Sequence, residues 1–163
     1  MNVDAILEAC NRQQVDCLLI GGMNFLLRHQ PELTFDVDLW ARDDDANLER
    51  LNLALKELGA EWGRIETEWL PVPTDWHWLR IQGVFCLTTQ HGAVDIFREV
   101  RGLEGRYDEC RARAVSGTTG SGVKFLGLSD EDMLACQEAL PPGQRHERRM
   151  AILREAVRRN HSS

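Results

Sequence analysis

Apolar residues recur at Val3, Ile6, Leu7 and Cys10, the spacing of one helical face, and predict a helix over Val3–Gln13. The stretch Val15–Ile20 is apolar except at Asp16 and runs into Gly21, which predicts a buried strand ending at a turn. Gly22–His29 suits a short helix stopped by Pro31. Leu33–Ala41 alternates as a second strand. Asp43, Asp44 and Asp45 offer capping oxygens for a helix over Ala46–Leu58, with Leu48, Leu51, Leu55 and Leu58 on one stripe and Gly59 at its end.

The middle of the chain is less regular. Glu61–Asp75 holds Trp62, Trp69, Pro71 and Pro73 and predicts irregular chain around a short strand. Trp76–Gln82 and Gly83–Thr89 predict two strands that could form a hairpin near Gly83, and Ala93–Phe97 a further strand after a His91-Gly92 turn. Tyr107–Ala114 predicts a helix, Ser116–Gly122 a flexible turn, and Val123–Leu128 a last strand. Ser129 caps a helix running to Leu140, Pro141-Pro142-Gly143 breaks it, and Gln144–Arg159 forms the final helix. This order predicts an α/β (α+β) fold, a mixed sheet flanked by helices. It is expected to be a single domain over residues 1–163, with a core at about 15–100 and a C-terminal helical segment at about 129–160.

The alternation also places chemistry. Asp36 and Asp38 stand two residues apart in a strand and share a face, about 7 Å apart along the chain. Phe35, Val37 and Leu39 are then expected to face the core, and Trp40 to continue the carboxylate face. Asp95, between Val94 and Ile96, repeats the arrangement. If its strand lies beside Leu33–Ala41, three carboxylates converge, and like charges so placed call for a cation. Mg²⁺, a hard ion held by carboxylates and substrate phosphates, is the natural occupant, and three acids suit a two-metal centre. Gly21-Gly22 adds a strand–turn–helix junction where a helix N-terminus can meet phosphate.

Composition narrows the classes. The five cysteines are odd in number and show no CxxC spacing, which argues against a disulfide framework or a structural zinc site and reads as buried or half-buried free thiols. No apolar run approaches a membrane span, and the first residues do not read as a secretory signal, so a cytoplasmic location is expected. The formal charge is −7, but from Gly143 onward six arginines face two glutamates, a balance of +4 that leaves −11 on the first 142 residues. So acidic a body is not built for indiscriminate nucleic-acid binding. The Arg145–Arg159 cluster reads either as a solvated helix face or as a contact for a triphosphate or a tRNA-like acceptor.

Gly21-Gly22, then Asp36-Val37-Asp38, then Val94-Asp95-Ile96 resembles, in order and spacing, the polymerase-β-like nucleotidyltransferase superfamily. The Thr34-x-Asp36-x-Asp38 form is similar to the AbiEii-type toxins of type IV toxin–antitoxin systems and related bacterial proteins, and residues 128–135 are similar to a helix start in that subset. The resemblance implies that Gly21 and Gly22 contact a triphosphate. Asp36 and Asp38 would bind Mg²⁺ or Mn²⁺, and Asp95 would complete the metal site and help deprotonate an acceptor hydroxyl. It further implies an NTP such as ATP as donor, an RNA (tRNA) end, a protein or a small molecule as acceptor, and a cognate antitoxin as partner. Thr34, Trp40 as a base-stacking ring, and Lys124 are the further nucleotide-binding candidates. Trp76 and Trp78 are alternatives for stacking. Two positions depart from the subset, Glu32 where many members carry arginine and Gln137 near a common lysine. The alternative they raise is a catalytically weak or inactive protein that binds a nucleotide or a protein partner.

Overall fold

The computed structural model describes residues 1–63 and 65–162. Its strands are β1 (Cys17–Ile20), β2 (Asp36–Ala41), β3 (Glu61–Trp62), β4 (Leu70–Pro71), β5 (Val84–Thr89), β6 (Gly92–Phe97), β7 (Val115–Thr118) and β8 (Lys124–Gly127). Its α-helices are α1 (Val3–Arg12), α2 (Gly21–Arg28), α3 (Asp45–Glu57), α4 (Tyr107–Ala112), α5 (Asp130–Glu138) and α6 (Glu147–His161). Among the described residues the strands form one mixed sheet in the order β4-β3-β5-β6-β2-β1-β8-β7. The β2–β6 and β1–β8 pairs are parallel and the others antiparallel. With six helices packed on it, the fold is α+β, as the element order implies.

Each face of the sheet carries its own core. Val37, Leu39, Val94 and Ile96 pack against α1 and α3, whose Leu48, Leu51, Leu55 and Leu58 stripe is wholly buried. Each such leucine contributes about 1.5–3 kcal/mol on burial. The opposite face packs Leu18, Ile20 and Trp40 with Leu103, Met133 and Leu153 beneath the layer of α4, α5 and α6. The caps match the sequence: Asp44 Oδ1 accepts from the Asn47 N–H at 2.9 Å, and Ser129 Oγ accepts from the Asp132 N–H at 3.2 Å. Arg28 Nη2 and His29 Nε2 both reach Asp130 Oδ1, at 2.8 and 2.9 Å, which fixes α2 against α5.

Several elements differ from the sequence pattern. Strand β2 begins at Asp36 rather than Leu33, because β1 ends opposite Asp38 and the ladder with β6 starts only at the Asp36–Ala93 pair. Phe35 therefore does not enter the core; it is 75% exposed, beside Leu33 at 80%. Trp76–Arg80 is a 3₁₀ helix, not a strand, opened by Asp75 Oδ1 accepting from the His77 N–H at 3.0 Å. Trp78 is buried there, donating from Nε1 to Asn52 Oδ1 at 2.8 Å. The hairpin joins β5 to β6 around Gln90-His91 rather than lying near Gly83. Part of the expected Ser116–Gly122 turn is β7, ordered by pairing with β8.

Candidate active site

Asp36, Asp38 and Asp95 come together because β2 and β6 are parallel neighbours in a register that sets Asp38 opposite Asp95. Antiparallel β1 sets Ile20 opposite Asp38, and so delivers the Gly21 turn to the same place. All three acids lie on the face covered by α4, α5 and α6. That cover ends at Trp40 and Phe97, and the carboxylates sit where it runs out. All three are half-buried, and each offers an oxygen within 4.8 Å of the others.

The Gly21 turn is built around Asp38. Gly21 has φ +63°, and a Cβ there would lie 1.9 Å from Asp38 Oδ2, so both the backbone conformation and the close approach require glycine. The Gly22 N–H, in the first turn of α2, is near enough to the Asp38 carboxylate to favour its charged form. Thr34 Oγ1 stands 3.3 Å from both the main-chain oxygen and Oδ1 of Asp36 and fixes that side chain. Burial, followed by the neighbouring Asp36 and Asp95 charges, raises the Asp38 carboxyl from its ordinary 3.8 to about 7. Arg149 and the Gly22 N–H oppose that rise. Burial also raises Asp95, against a hydrogen bond from the Cys86 thiol.

Other predicted site residues are distributed differently. Trp40 is buried, 1% exposed, with its ring edge-on to Tyr107 at 5.1 Å and Nε1 donating to the Arg98 carbonyl at 3.2 Å. Its ring has no free face on which a base could stack. Lys124 begins β8, and the β1–β8 register carries it toward the Asp16 end of β1, away from the carboxylates. Its carbonyl accepts from Asn11 Nδ2 at 2.9 Å, and it lines a separate cavity with Cys10 and Asp16.

Two residues join the site that the sequence did not single out. Cys86, opposite Asp95 on β5, is exposed, and its thiol is pushed up to about 11 by partial desolvation and by the aspartates. Alternation along Val84–Thr89 could have placed it, once β5 was known to pair with β6. Arg149, from the basic C-terminal cluster, is buried and reaches the Gly21-Gly22 turn. Met150 and Leu153, which anchor its helix in the core, were the signal that this face of α6 is not solvated. Gln137 is also placed: its Oε1 accepts from the His146 N–H at 2.9 Å, and it lines a cavity of about 230 Å³ with Gly21, Asp38 and Arg149.

No family model matches the chain, and no curated protein matches it. Among solved structures it is similar to the antibiotic-resistance factor ANT(2″)-Ia, whose solution structure is described as revealing substrate-regulated conformation dynamics. The TM-score is 0.54 at 12% identity, covering 98% of this chain and 91% of that one. At this identity the likeness is one of fold. The fold is nucleotidyltransferase-like. Within it, the three aspartates form a group of oxygen donors that could hold a divalent metal ion. Among the described residues no helix is long and apolar enough to cross a membrane.

Proposed function

We propose that this chain is a metal-dependent nucleotidyltransferase, moving a nucleoside monophosphate from a nucleoside triphosphate to a hydroxyl acceptor with release of pyrophosphate. The observation that carries the reading is the convergence of Asp36, Asp38 and Asp95 within 4.8 Å beside a glycine turn that opens a helix. The carboxylates are hard oxygen donors, and the burial and repulsion that hold back ionisation of Asp38 and Asp95 are what a divalent cation relieves. Asp36, Asp38 and Asp95 would hold Mg²⁺ or Mn²⁺, which when bound supplies positive charge to phosphate oxygens and acidifies an acceptor hydroxyl.

The chain's own groups have separable roles in this reading. Gly21 and Gly22 keep side chains out of the space a triphosphate needs, and the first turn of α2 offers N–H donors. Thr34 orients Asp36. Asp95 lies across β2 from the Gly21 turn and accepts the proton of the acceptor hydroxyl. The acceptor is an RNA end, a protein or a small molecule. Incubation with each labelled NTP, Mn²⁺ or Mg²⁺ and cell extract should label one of these classes. Equal labelling by wild type and an Asp36→Ala/Asp38→Ala variant would sink the proposal. A toxin-like role, the narrower form suggested by the sequence resemblance, requires growth arrest on expression that the same variant relieves.

A second reading is a catalytically weak or inactive protein that binds nucleotide. It is favoured by Glu32, whose carboxylate pairs with Arg149, and by Gln137, already engaged with the main chain of His146. Calorimetry showing NTP binding without pyrophosphate release would support it.

A further inference from the structure

We propose that the Glu32–Arg149 ion pair gates the triphosphate end of this site: Arg149 is the phosphate-binding cation, and Glu32 holds it until a phosphate chain displaces the carboxylate. The inference rests on the nucleotidyltransferase reading and concerns how that site admits its donor.

Position comes first. Arg149 Nη2 stands 3.4 Å from the point where a Cβ on Gly22 would lie, and Thr34 Oγ1 is 3.0 Å from that same point. The guanidinium therefore sits over the strand-to-helix turn, beside the Asp36-orienting threonine and near enough to Asp38 to favour its ionised form. It also divides two cavities. One, of about 440 Å³, is lined by Phe25, Gln30, Pro31, Glu32 and Leu33; the other, of about 230 Å³, by Gly21, Asp38 and Gln137. Arg149 lines both.

In this structure the guanidinium is turned toward Glu32. Nη2 pairs with Oε1, and Nε lies 3.3 Å from Oε2, so two donors of the planar fork are spent on one carboxylate. The Arg149 side chain is 10% exposed and that of Glu32 24%, which makes the pair less screened than a surface bridge. The fork rests on the Phe25 ring, 5.6 Å from its centroid.

Charge then sets the direction of the exchange. Without nucleotide, Arg149 already has Glu32 on its fork and Asp38 within electrostatic reach. A phosphate chain over Gly21-Gly22 brings several charged oxygens to the same fork and displaces a single carboxylate from it. Glu32 thus weakens every phosphate ligand by the free energy of releasing Arg149 and by its own repulsion. A ligand with several phosphates repays that release better than one with a single phosphate.

The test uses the full chain, with MgATP and, as a base-free probe, magnesium tripolyphosphate, titrated by calorimetry. Glu32→Gln should bind both about tenfold more tightly than wild type, and Arg149→Lys about tenfold more weakly. In the double variant the gain from Glu32→Gln should shrink to the part due to Glu32 repulsion, because a lysine cannot form the two-donor fork. Equal affinity in wild type and Glu32→Gln overturns the gate but leaves the nucleotidyltransferase reading standing. Failure of both proteins to bind either phosphate compound, with no Mn²⁺ bound by electron paramagnetic resonance, overturns both. Should the substitutions disturb folding, the Arg149 Nε–H resonance of the wild type decides. It should shift when magnesium tripolyphosphate is added, and an unmoved resonance refutes the exchange.

Discussion

Asp38→Asn should stabilise the metal-free protein at neutral pH, because it removes a charge that the folded site resists. In the folded chain the Asp38 carboxyl is raised from 3.8 to about 7, first by burial and then by Asp36 and Asp95. Between those two values the native protein keeps a proton that the unfolded chain has released. Wild-type stability therefore falls as pH rises through this window, and the penalty is complete above about pH 7. Each pH unit is worth about 1.4 kcal/mol, which sets a ceiling of about 4 kcal/mol. Solvent at the half-open site reduces this to about 2–4 kcal/mol, on the order of 10 °C in Tm for a chain of this size. Asparagine has no proton to lose, and its Oδ1 can still lie near the Gly22 N–H. Thermal and urea unfolding of both proteins in chelator, from pH 4 to pH 8, should give curves that meet near pH 4 and diverge in favour of the variant. Added Mg²⁺ at pH 8 should stabilise wild type and leave the variant nearly unmoved. Parallel curves, or a variant less stable than wild type at pH 8, would refute the argument that like charge and burial dominate this site.

Gly21→Ala places a side chain on a left-handed backbone and a Cβ 1.9 Å from Asp38 Oδ2. Denaturant unfolding should show a loss of about 2–4 kcal/mol, with Mn²⁺ binding lost alongside. Trp40→Phe keeps an aromatic ring but removes the Nε1 hydrogen bond to the Arg98 carbonyl, and should lower stability by about 1–2 kcal/mol. Calorimetric nucleotide affinity should be unchanged in that variant; a selective loss of binding at full stability would return the ring to the site. Lys124→Ala, at the opposite end of the strands from the carboxylates, should bind MgATP as wild type does, and a clear loss of affinity would contradict its placement.

Local physics made much of this protein legible in its sequence. Period-two alternation in Asp36–Ala41 follows from backbone pleating alone, and it put Asp36 and Asp38 on one face before any partner strand was known. The leucine stripe of α3 and the caps at Asp44 and Ser129 are likewise interactions within a few residues. They carried the fold class, and with Gly21-Gly22 and Asp95 they named the candidates for one site. What tertiary structure alone decided depends on which distant segments meet. The β2–β6 register sets Asp95 opposite Asp38 and Cys86 beside it. The same pairing stops short of Phe35 and leaves it exposed. Docking of α4 covers Trp40 with Tyr107, although alternation alone had placed that ring on the open carboxylate face. Packing of α6 turns one arginine of an apparently solvated basic run inward to Glu32 and Gly22, while the β1–β8 register carries Lys124 away. Spacing along the chain determines which side chains share a face; which of those faces is buried, paired or left open depends on contacts between segments far apart in sequence.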